Sequence, residues 1–203
     1  MRRRPPAGKD CVAGCRAGDR NSIRQLFEEN CPLVERVIGR MVGPTPDLED
    51  LVQETFANAL HSLPAYRGEA SLRTWLTSIA VHVAQHHLRA GRLRRHAPLE
   101  LLDERHLPAF APEAEARVDE RRFSSRVHGL LDKIPPKHRI ALLLFTVDGK
   151  SVAEVAALMG ASQTATRSRV FFARRALRSL ICDDSGLSEL AASLLGARRK
   201  GES

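Results

Sequence analysis

The sequence predicts an all-α protein made of two small helical domains joined by a flexible linker. The composition is 43% hydrophobic but only 4% aromatic, so the expected core is aliphatic, which suits helices better than sheets. In residues 19–96 and 123–182, apolar residues recur every three or four positions, which is the spacing of one helix face. Residues 97–122 contain three prolines and seven acids without such a period, and we interpret them as the linker.

Four helices are predicted in residues 19–96, after a loose basic lead at 1–18. Each begins at a residue that can cap or open a helix: Asp19, Pro32, Asp47 and Ser71. The second helix is expected to end at Gly43 and the fourth near Gly91, because glycine favours helix C-termini. Residues 183–203 form a tail that could add a short amphipathic helix.

The charge distribution points to a polyanionic partner. The net charge is +8, and arginines cluster in residues 89–95 and 167–178. These two basic clusters suggest that the protein binds nucleic acid at two sites. The alternative is a basic protein without such a partner. No apolar run is long enough to cross a membrane, and the start lacks the apolar core of a signal peptide, so we expect a cytoplasmic protein.

Residues 151–176 predict a helix-turn-helix. Ser151 and Glu154 form a capping-box pattern, Gly160 can supply the turn, and Ser162 can cap the next helix. The residues expected on the packed face of that helix are Thr166, Val170, Ala173, Leu177 and Leu180. The residues expected on the opposite face are Thr164, Arg167, Ser168, Phe171, Arg175 and Arg178. An exposed phenylalanine among arginines suits a helix lying in a DNA major groove better than a purely structural hairpin.

Two stretches, "DLEDLVQETFANALHSLPAYRGEASLRTWLTSIAVHVAQHHLRAGRLRR" and "IPPKHRIALLLFTVDGKSVAEVAALMGASQTATRSRVFFARRAL", resemble a known family in their order and spacing. They are similar to the extracytoplasmic-function (ECF, group 4) sigma factors of bacterial RNA polymerase, which belong to the sigma-70 type. The resemblance covers roughly residues 19–181. It implies a region 2-like domain at 19–96, a linker at 97–122 and a region 4-like helix-turn-helix domain at 123–182.

In this family the acidic helix of region 2 docks on the clamp helices of the polymerase β′ subunit. The resemblance assigns that role to Asp47, Glu49, Asp50, Gln53 and Glu54. Helix capping alone would explain Asp47, because the helix dipole favours a negative charge at an N-terminus. A carboxylate metal cluster of a nuclease is a further alternative, but a lone helix lacks convergent ligands.

The resemblance also implies that the next helix opens the promoter −10 element and captures an unstacked base. The expected −10 contacts are Arg67, Arg73, His82, Arg89, Arg92, Arg94 and Arg95. His82 stands where the family usually has asparagine. Trp75 could stack on a base, but it falls on the apolar stripe and is expected in the core. His82 and His86 form an i, i+4 pair with His87 as an extra neighbour, and this pair could bind a metal. The sequence places no further ligand beside the pair, so no metal is predicted.

For the promoter −35 element, the residues that match family contacts are Thr164, Arg167, Ser168, Phe171, Phe172 and Arg175. Two departures occur here. Thr164-Ala165-Thr166 replaces the family's Gly-Thr-Val, and Phe172 replaces a residue that is often basic.

These observations predict a dissociable promoter-specificity subunit without catalytic residues or cofactors. Its expected partners are core polymerase (β′ clamp helices and β flap), promoter DNA and an anti-sigma factor, and no membrane insertion is expected. Two alternatives stay open at this point. One is a stand-alone helix-turn-helix regulator that binds duplex DNA without polymerase. The other is a recombinase or nuclease with a DNA-binding tail, which would need a nucleophile or paired carboxylates in the first domain.

Overall fold

The computed structural model describes residues 7–96 and 125–184, in which every regular element is a helix. The helices are α1 (Ala7–Arg16), α2 (Arg20–Val42), α3 (Leu48–Ser62), α4 (Leu72–His96), α5 (described over residues 125–132), α6 (Pro136–Thr146), α7 (Val152–Leu158) and α8 (Gln163–Cys182). A short 3-10 turn, Leu63–Ala65, follows α3. The predicted linker, residues 97–122, and the predicted tail from residue 185 onwards lie outside the described residues.

Helix α1 corrects the prediction of a loose lead. Cys11, Val12 and Cys15 are buried, and they pack with Leu63 and Leu76 of the following elements. These three residues share one face of a helix, since they are spaced at i, i+1 and i+4. The many charged residues around them concealed this short apolar face, so the prediction was wrong for residues 7–16.

Helix α2 runs without interruption through Pro32, where a second helix was expected to begin. The start is as predicted, because the Asp19 carboxylate accepts hydrogen bonds from the amides of Asn21 and Ser22. The Ser22 hydroxyl also donates to this carboxylate at 2.6 Å, and the hydroxyl and amide bonds from Ser22 lower the pKa of Asp19. Pro32 deprives the Glu28 carbonyl of its helical partner. Glu28 and Pro32 are both exposed, so water can replace that bond while the buried face of the helix stays continuous.

Helix α3 differs from the prediction in its N-terminal cap, and α4 differs at its C-terminal end. Asp47 occupies the N-cap position of α3, but its side chain makes no capping hydrogen bond. Ser71 does cap α4, since its hydroxyl accepts from the Thr74 amide at 3.1 Å. Helix α4 passes through Gly91 and reaches His96. Arg92, Leu93 and Arg94 are good helix formers, and they extend the helix across a glycine that no turn requires.

The helix-turn-helix is confirmed in its details. Ser151 and Glu154 form both hydrogen bonds of a capping box, and Ser162 accepts from the Ala165 amide at 3.2 Å. The Ser151 hydrogen bonds lower the pKa of Glu154. Gly160 has a φ of 56°, in the left-handed region that the turn between α7 and α8 requires. Helices α5, α6 and α8 pack together around Leu131, Ile134, Leu142 and Ala173.

The two helical units, α1–α4 and α5–α8, pack against each other. Val34, Ile38 and Val81 of the first unit share a buried cluster with Ile140 and Leu158 of the second. Helix α4 contacts both α6 and α7. At the margin of this interface, the Arg40 guanidinium forms an ion pair with the Asp148 carboxylate. Two helical units were predicted and two are present in the described part of the chain, where they share one of its three buried clusters.

Candidate nucleic-acid interface

Helix α8 presents the predicted reading residues on its exposed side. Thr166, Val170 and Ala173 are buried on the opposite side. All six predicted −35 residues are exposed: Thr164, Arg167, Ser168, Phe171, Phe172 and Arg175. Phe171 is 61% exposed and Phe172 54%, although aromatic rings of this size usually contribute to a core. The face therefore offers cationic, hydroxyl and aromatic groups together, which is the chemistry of base and phosphate contact.

Phe172 lies at the edge of this face, beside α6. Its ring meets the Phe171 ring edge-on at 5.4 Å between centroids, and the His138 ring at 6.5 Å. Burial, together with the nearby Arg169 charge, lowers the pKa of His138, so this imidazole is neutral at physiological pH. These ring contacts hold Phe172 at a position where the family often has a basic residue.

The arginines of α8 do not act as one cluster. The Arg174 guanidinium lies over the Phe145 ring of α6, 4.9 Å from its centroid, in a cation–π contact. Arg169 is partly buried, whereas Arg167 and Arg175 are exposed. The sequence alone could not separate these roles, because they depend on what α6 places beside each side chain.

The predicted −10 residues occupy the loop before α4 and the helix itself. Arg67, Arg73, His82 and Arg89 are exposed, and Arg92 is partly buried. Arg94 and Arg95 lie in α4, but their side chains are outside the described residues. His82 Nδ1 donates to the Ser78 carbonyl at 2.6 Å, which leaves Nε2 as the ring atom able to meet a partner.

Helix α7 forms the opposite wall of a cleft beside α4. Arg73, Thr77 and Ser78 line the α4 side, and Lys150 and Glu154 line the other. A side chain at Gly160 would bring its Cβ within 3.8 Å of His82 Nε2. The predicted −10 face is therefore bordered by the helix-turn-helix, and the Glu154 carboxylate on the far wall lies 3.9 Å from the Lys150 ammonium.

The loop at residues 66–71 has a defined shape that the sequence did not reveal. The Tyr66 hydroxyl donates to the Ala70 carbonyl at 2.6 Å, and the Tyr66 ring packs on Trp75 with centroids 4.9 Å apart. Trp75 also packs against the buried cluster of the first unit, as expected for a core residue. Tyr66, the single tyrosine of the chain, could have been noticed by that rarity. Arg16, which bonds the root of this loop, gave no signal, because α1 was not predicted.

The acidic residues of α3 form an exposed face. Glu49, Asp50, Gln53 and Glu54 are exposed, and Gln53 Nε2 donates to the Glu49 carboxylate at 3.5 Å. Asp47 stands apart, since its carboxylate lies 3.9 Å from His87 Nε2 of α4. Within residues 11–92 and 125–184, no cation pairs with Glu49, Asp50 or Glu54. This leaves a negatively charged surface available to a partner.

Other chemical features of the described residues are few. No group of three His, Cys, Asp or Glu side chains among them is arranged to hold a metal ion. None of the helices that the structure describes is long and apolar enough to span a membrane. Burial raises the pKa of Cys11, and it raises that of Cys15 to about 11, so both are protonated, unreactive thiols at neutral pH.

Comparison with known sequences identifies the family. Residues 26–94 match Sigma-70 region 2, and residues 124–177 match Sigma-70, region 4. The chain is 30% identical over 166 residues to the ECF RNA polymerase sigma-E factor of Escherichia coli K12, covering 79% of this chain and 86% of that protein. The chain belongs to the ECF sigma factors. Members of this family are transcription initiation factors without enzymatic activity.

A second relative of this sigma factor is ECF RNA polymerase sigma factor SigE of Mycolicibacterium smegmatis. It is 31% identical over 170 residues, which are 83% of this chain but only 64% of the relative. The matched part therefore spans less than two thirds of that protein.

Solved structures support the fold of this sigma factor. CnrH in complex with the cytosolic domain of CnrY is similar with a TM-score of 0.59 and 25% identity, over 88% of this chain and 99% of that one. The sigma factor RpoE, in complex with the anti-sigma factor NepR from Bartonella quintana, has a TM-score of 0.54 and 21% identity. The match covers 79% of this chain and 97% of that one. The second likeness concerns the fold alone. The all-α, two-unit architecture is confirmed.

Proposed function

We propose that this ECF sigma factor binds core RNA polymerase, recognises the −35 and −10 promoter elements, melts the −10 region and directs initiation. The observation that carries the proposal is the outward face of α8, where arginine, serine and phenylalanine are exposed together on a helix-turn-helix of this family. Catalysis would belong to core polymerase, and this chain would need no cofactor of its own. Its place of action would be the cytoplasm.

The −35 element would be read by α8. Arginine can bond guanine O6 and N7 at once, a serine hydroxyl can bond a phosphate or base edge, and an aromatic ring can contact a thymine methyl. Arg167, Ser168 and Phe171 would make these contacts. Thr164 and Arg175 would add contacts at either end of the same face, and Phe172 would replace a polar contact by an apolar one.

The −10 element would be opened and held by the loop and α4. Unstacking a base costs a few kcal/mol, so the protein must offer both a site for the base and positive charge for the released strand. Arg67, Arg73 and His82 would lie near the base. The positive charge for the strand would come from Arg89, Arg92, Arg94 and Arg95.

Other surfaces would engage protein partners. The acidic face of α3, with Asp47 at its start, would dock on the β′ clamp helices, while the β flap would contact α5–α8. An anti-sigma factor is the expected regulator, and the two structural neighbours are themselves bound to protein partners. The functional boundaries would be 19–96 for region 2, 97–122 for the linker and 123–182 for region 4, with α1 and the tail outside them.

Promoter binding would require the two helical units to move apart. A strand approaching Arg73 from the α7 side meets Lys150, Glu154 and Leu158 across the cleft. In the described part of the chain, by contrast, all six proposed −35 residues of α8 are exposed. The proposed sequence of events is therefore separation of the units on binding core polymerase, followed by contact of α4 with DNA.

Run-off transcription with purified bacterial core polymerase tests the proposal. The template is the promoter region upstream of this chain's own gene, transcribed with and without the protein. A specific start that appears only with the protein is expected. No transcript, together with tight binding of the free protein to the same duplex, would instead establish a stand-alone regulator.

A further inference from the structure

The loop at residues 66–71 is closed upon itself and anchored to α4. Tyr66 bonds the Ala70 carbonyl through its hydroxyl and stacks on Trp75 through its ring. Gly68 has a φ of 75°, so the chain turns there in a conformation that other residues rarely adopt. Arg67, one of the proposed −10 contacts, lies next to this turn. The position of Arg67 therefore depends on how the root of the loop is held.

Arg16 of α1 holds that root. Its Nε donates to the Leu63 carbonyl at 3.2 Å, and its Nη2 donates to the Tyr66 carbonyl. These carbonyls lie where α3 has ended and the loop begins. The Leu63 carbonyl also accepts from the Tyr66 amide at 3.1 Å, so Arg16 bonds both ends of this short turn. A guanidinium presents several donors in one rigid plane, so it can fix two carbonyls relative to each other, which a lysine cannot do in the same way.

We infer that Arg16 is a positioning residue for −10 recognition: it fixes the loop at 66–71 in the shape that presents Arg67 to the unstacked strand. This inference rests on the function proposed above. A preorganised loop loses less conformational freedom when it captures a base, so more of the contact energy remains for opening the duplex. Val12 and Ala13 of α1 also line one side of the cleft beside Gly68.

A role limited to holding α1 in place is the alternative explanation for Arg16. Helix α1 already has an apolar anchor, because Cys11, Val12 and Cys15 are buried against the first unit. Arg16 itself is exposed. Replacing it by alanine should therefore leave α1 docked and the chain folded, while the loop loses its two hydrogen bonds at the root.

Hydrogen exchange on the free chain tests whether Arg16 holds the loop. In Arg16→Ala, the Tyr66 amide, which donates to the Leu63 carbonyl at 3.1 Å, should exchange several-fold faster, while the amides of residues 11–15 keep their protection. Arg24→Ala is the matched control, since Arg24 is an exposed arginine of α2 to which the described residues offer no hydrogen bond or ion pair. Unchanged exchange in the loop, or equal loss of protection in α1, would overturn the inference.

Binding of single strands by the holoenzyme tests the consequence for DNA. A fluorescent non-template oligonucleotide with the −10 sequence of a mapped promoter is compared with a scrambled one. Arg16→Ala should reduce the preference for the −10 sequence by roughly fivefold to tenfold, the scale of one ordinary hydrogen bond. Arg16→Lys should restore part of it. Equal weakening on both oligonucleotides would indicate a mere charge effect and overturn the inference.

Failure of the proposed function would look different. The unaltered holoenzyme would then show no preference for the −10 oligonucleotide, and the role of Arg16 in promoter recognition would fall with it. The exchange measurement needs neither polymerase nor DNA, so it would still show whether Arg16 fixes the loop.

Discussion

The two helices proposed to read DNA, α8 and α4, are built in different ways. In α8 the reading residues form one exposed face, opposite a buried face of Thr166, Val170 and Ala173. In α4 they are spread over a loop and several turns, beside a cleft whose far wall is α7. One helix is ready for DNA as it stands, whereas the other depends on its neighbours. Recognition of the −35 element should therefore change when single side chains of α8 are replaced. Recognition of the −10 element should change also when the tertiary contacts around α4 are altered.

The largest expected effect is on the α8 side of this comparison. Arg167→Ala should lose about 1–3 kcal/mol of discrimination between the native −35 element and one with its guanines replaced, because one bidentate contact is removed. Competition binding of holoenzyme to the two promoters measures this. Arg178→Ala, also exposed but beyond the proposed contacts, is the control. Equal weakening on both promoters would show that Arg167 contacts only phosphate.

The basic end of α4 should behave in the opposite way. Arg94→Ala combined with Arg95→Ala should weaken binding to all promoter variants alike, and reduce the salt dependence by about 0.7 units of slope for each phosphate of the single strand that is no longer neutralised. Titration of holoenzyme binding against salt concentration, on native and scrambled −10 templates, gives both quantities. If the weakening instead depended on the −10 sequence, these arginines would have to be reassigned to base recognition.

His82 should tune the −10 preference without affecting −35. Its Nδ1 donates to the Ser78 carbonyl, so Nε2, which lies near Gly160, is the ring atom left for a partner. His82→Asn places a shorter side chain there and should change the preferred base at one −10 position by about threefold to tenfold, the range of a single modest hydrogen bond. Transcription from templates randomised at each −10 position reveals it. A change in −35 preference would contradict the division of roles between the helices.

The smallest expected effect concerns the interface that borders α4. Asp148→Arg replaces the ion pair with Arg40 by repulsion. It should shift the equilibrium away from the packed arrangement of the two helical units by up to about 1 kcal/mol, the scale of a surface pair. Energy transfer between dyes on the two helical units measures the shift. Adding Arg40→Asp should restore the attraction and reverse it. No response to either change would show that the apolar core alone holds the units together.

The same contrast explains what the sequence could predict. The face of α8 follows from the period of one helix, so Arg167 and Phe171 were correctly expected on the exposed side. The capping residues Asp19, Ser71, Ser151 and Ser162 were likewise recognisable, because capping is a local interaction. The fold class followed from composition and period together.

The remaining features depend on contacts between distant parts of the chain. Pro32 resembles a helix start by local rules, but the apolar face from Leu26 to Met41 keeps α2 continuous. Arg16 bonds two carbonyls that lie 47 and 50 positions further along the chain, and no local pattern encodes these contacts. The cleft between α4 and α7 likewise arises only when the two helical units pack together.

The most direct test of this account is to lock the cleft. Thr77→Cys and Ala157→Cys, both lining it, are joined by a short thiol cross-linker in a Cys182→Ser background. The remaining cysteines compete poorly, since burial raises the pKa of Cys11, Cys15 and Cys31. The linked chain should keep its affinity for −35 duplex and lose both −10 strand binding and transcription, which the unlinked double variant retains. Normal transcription by the linked chain would contradict the account.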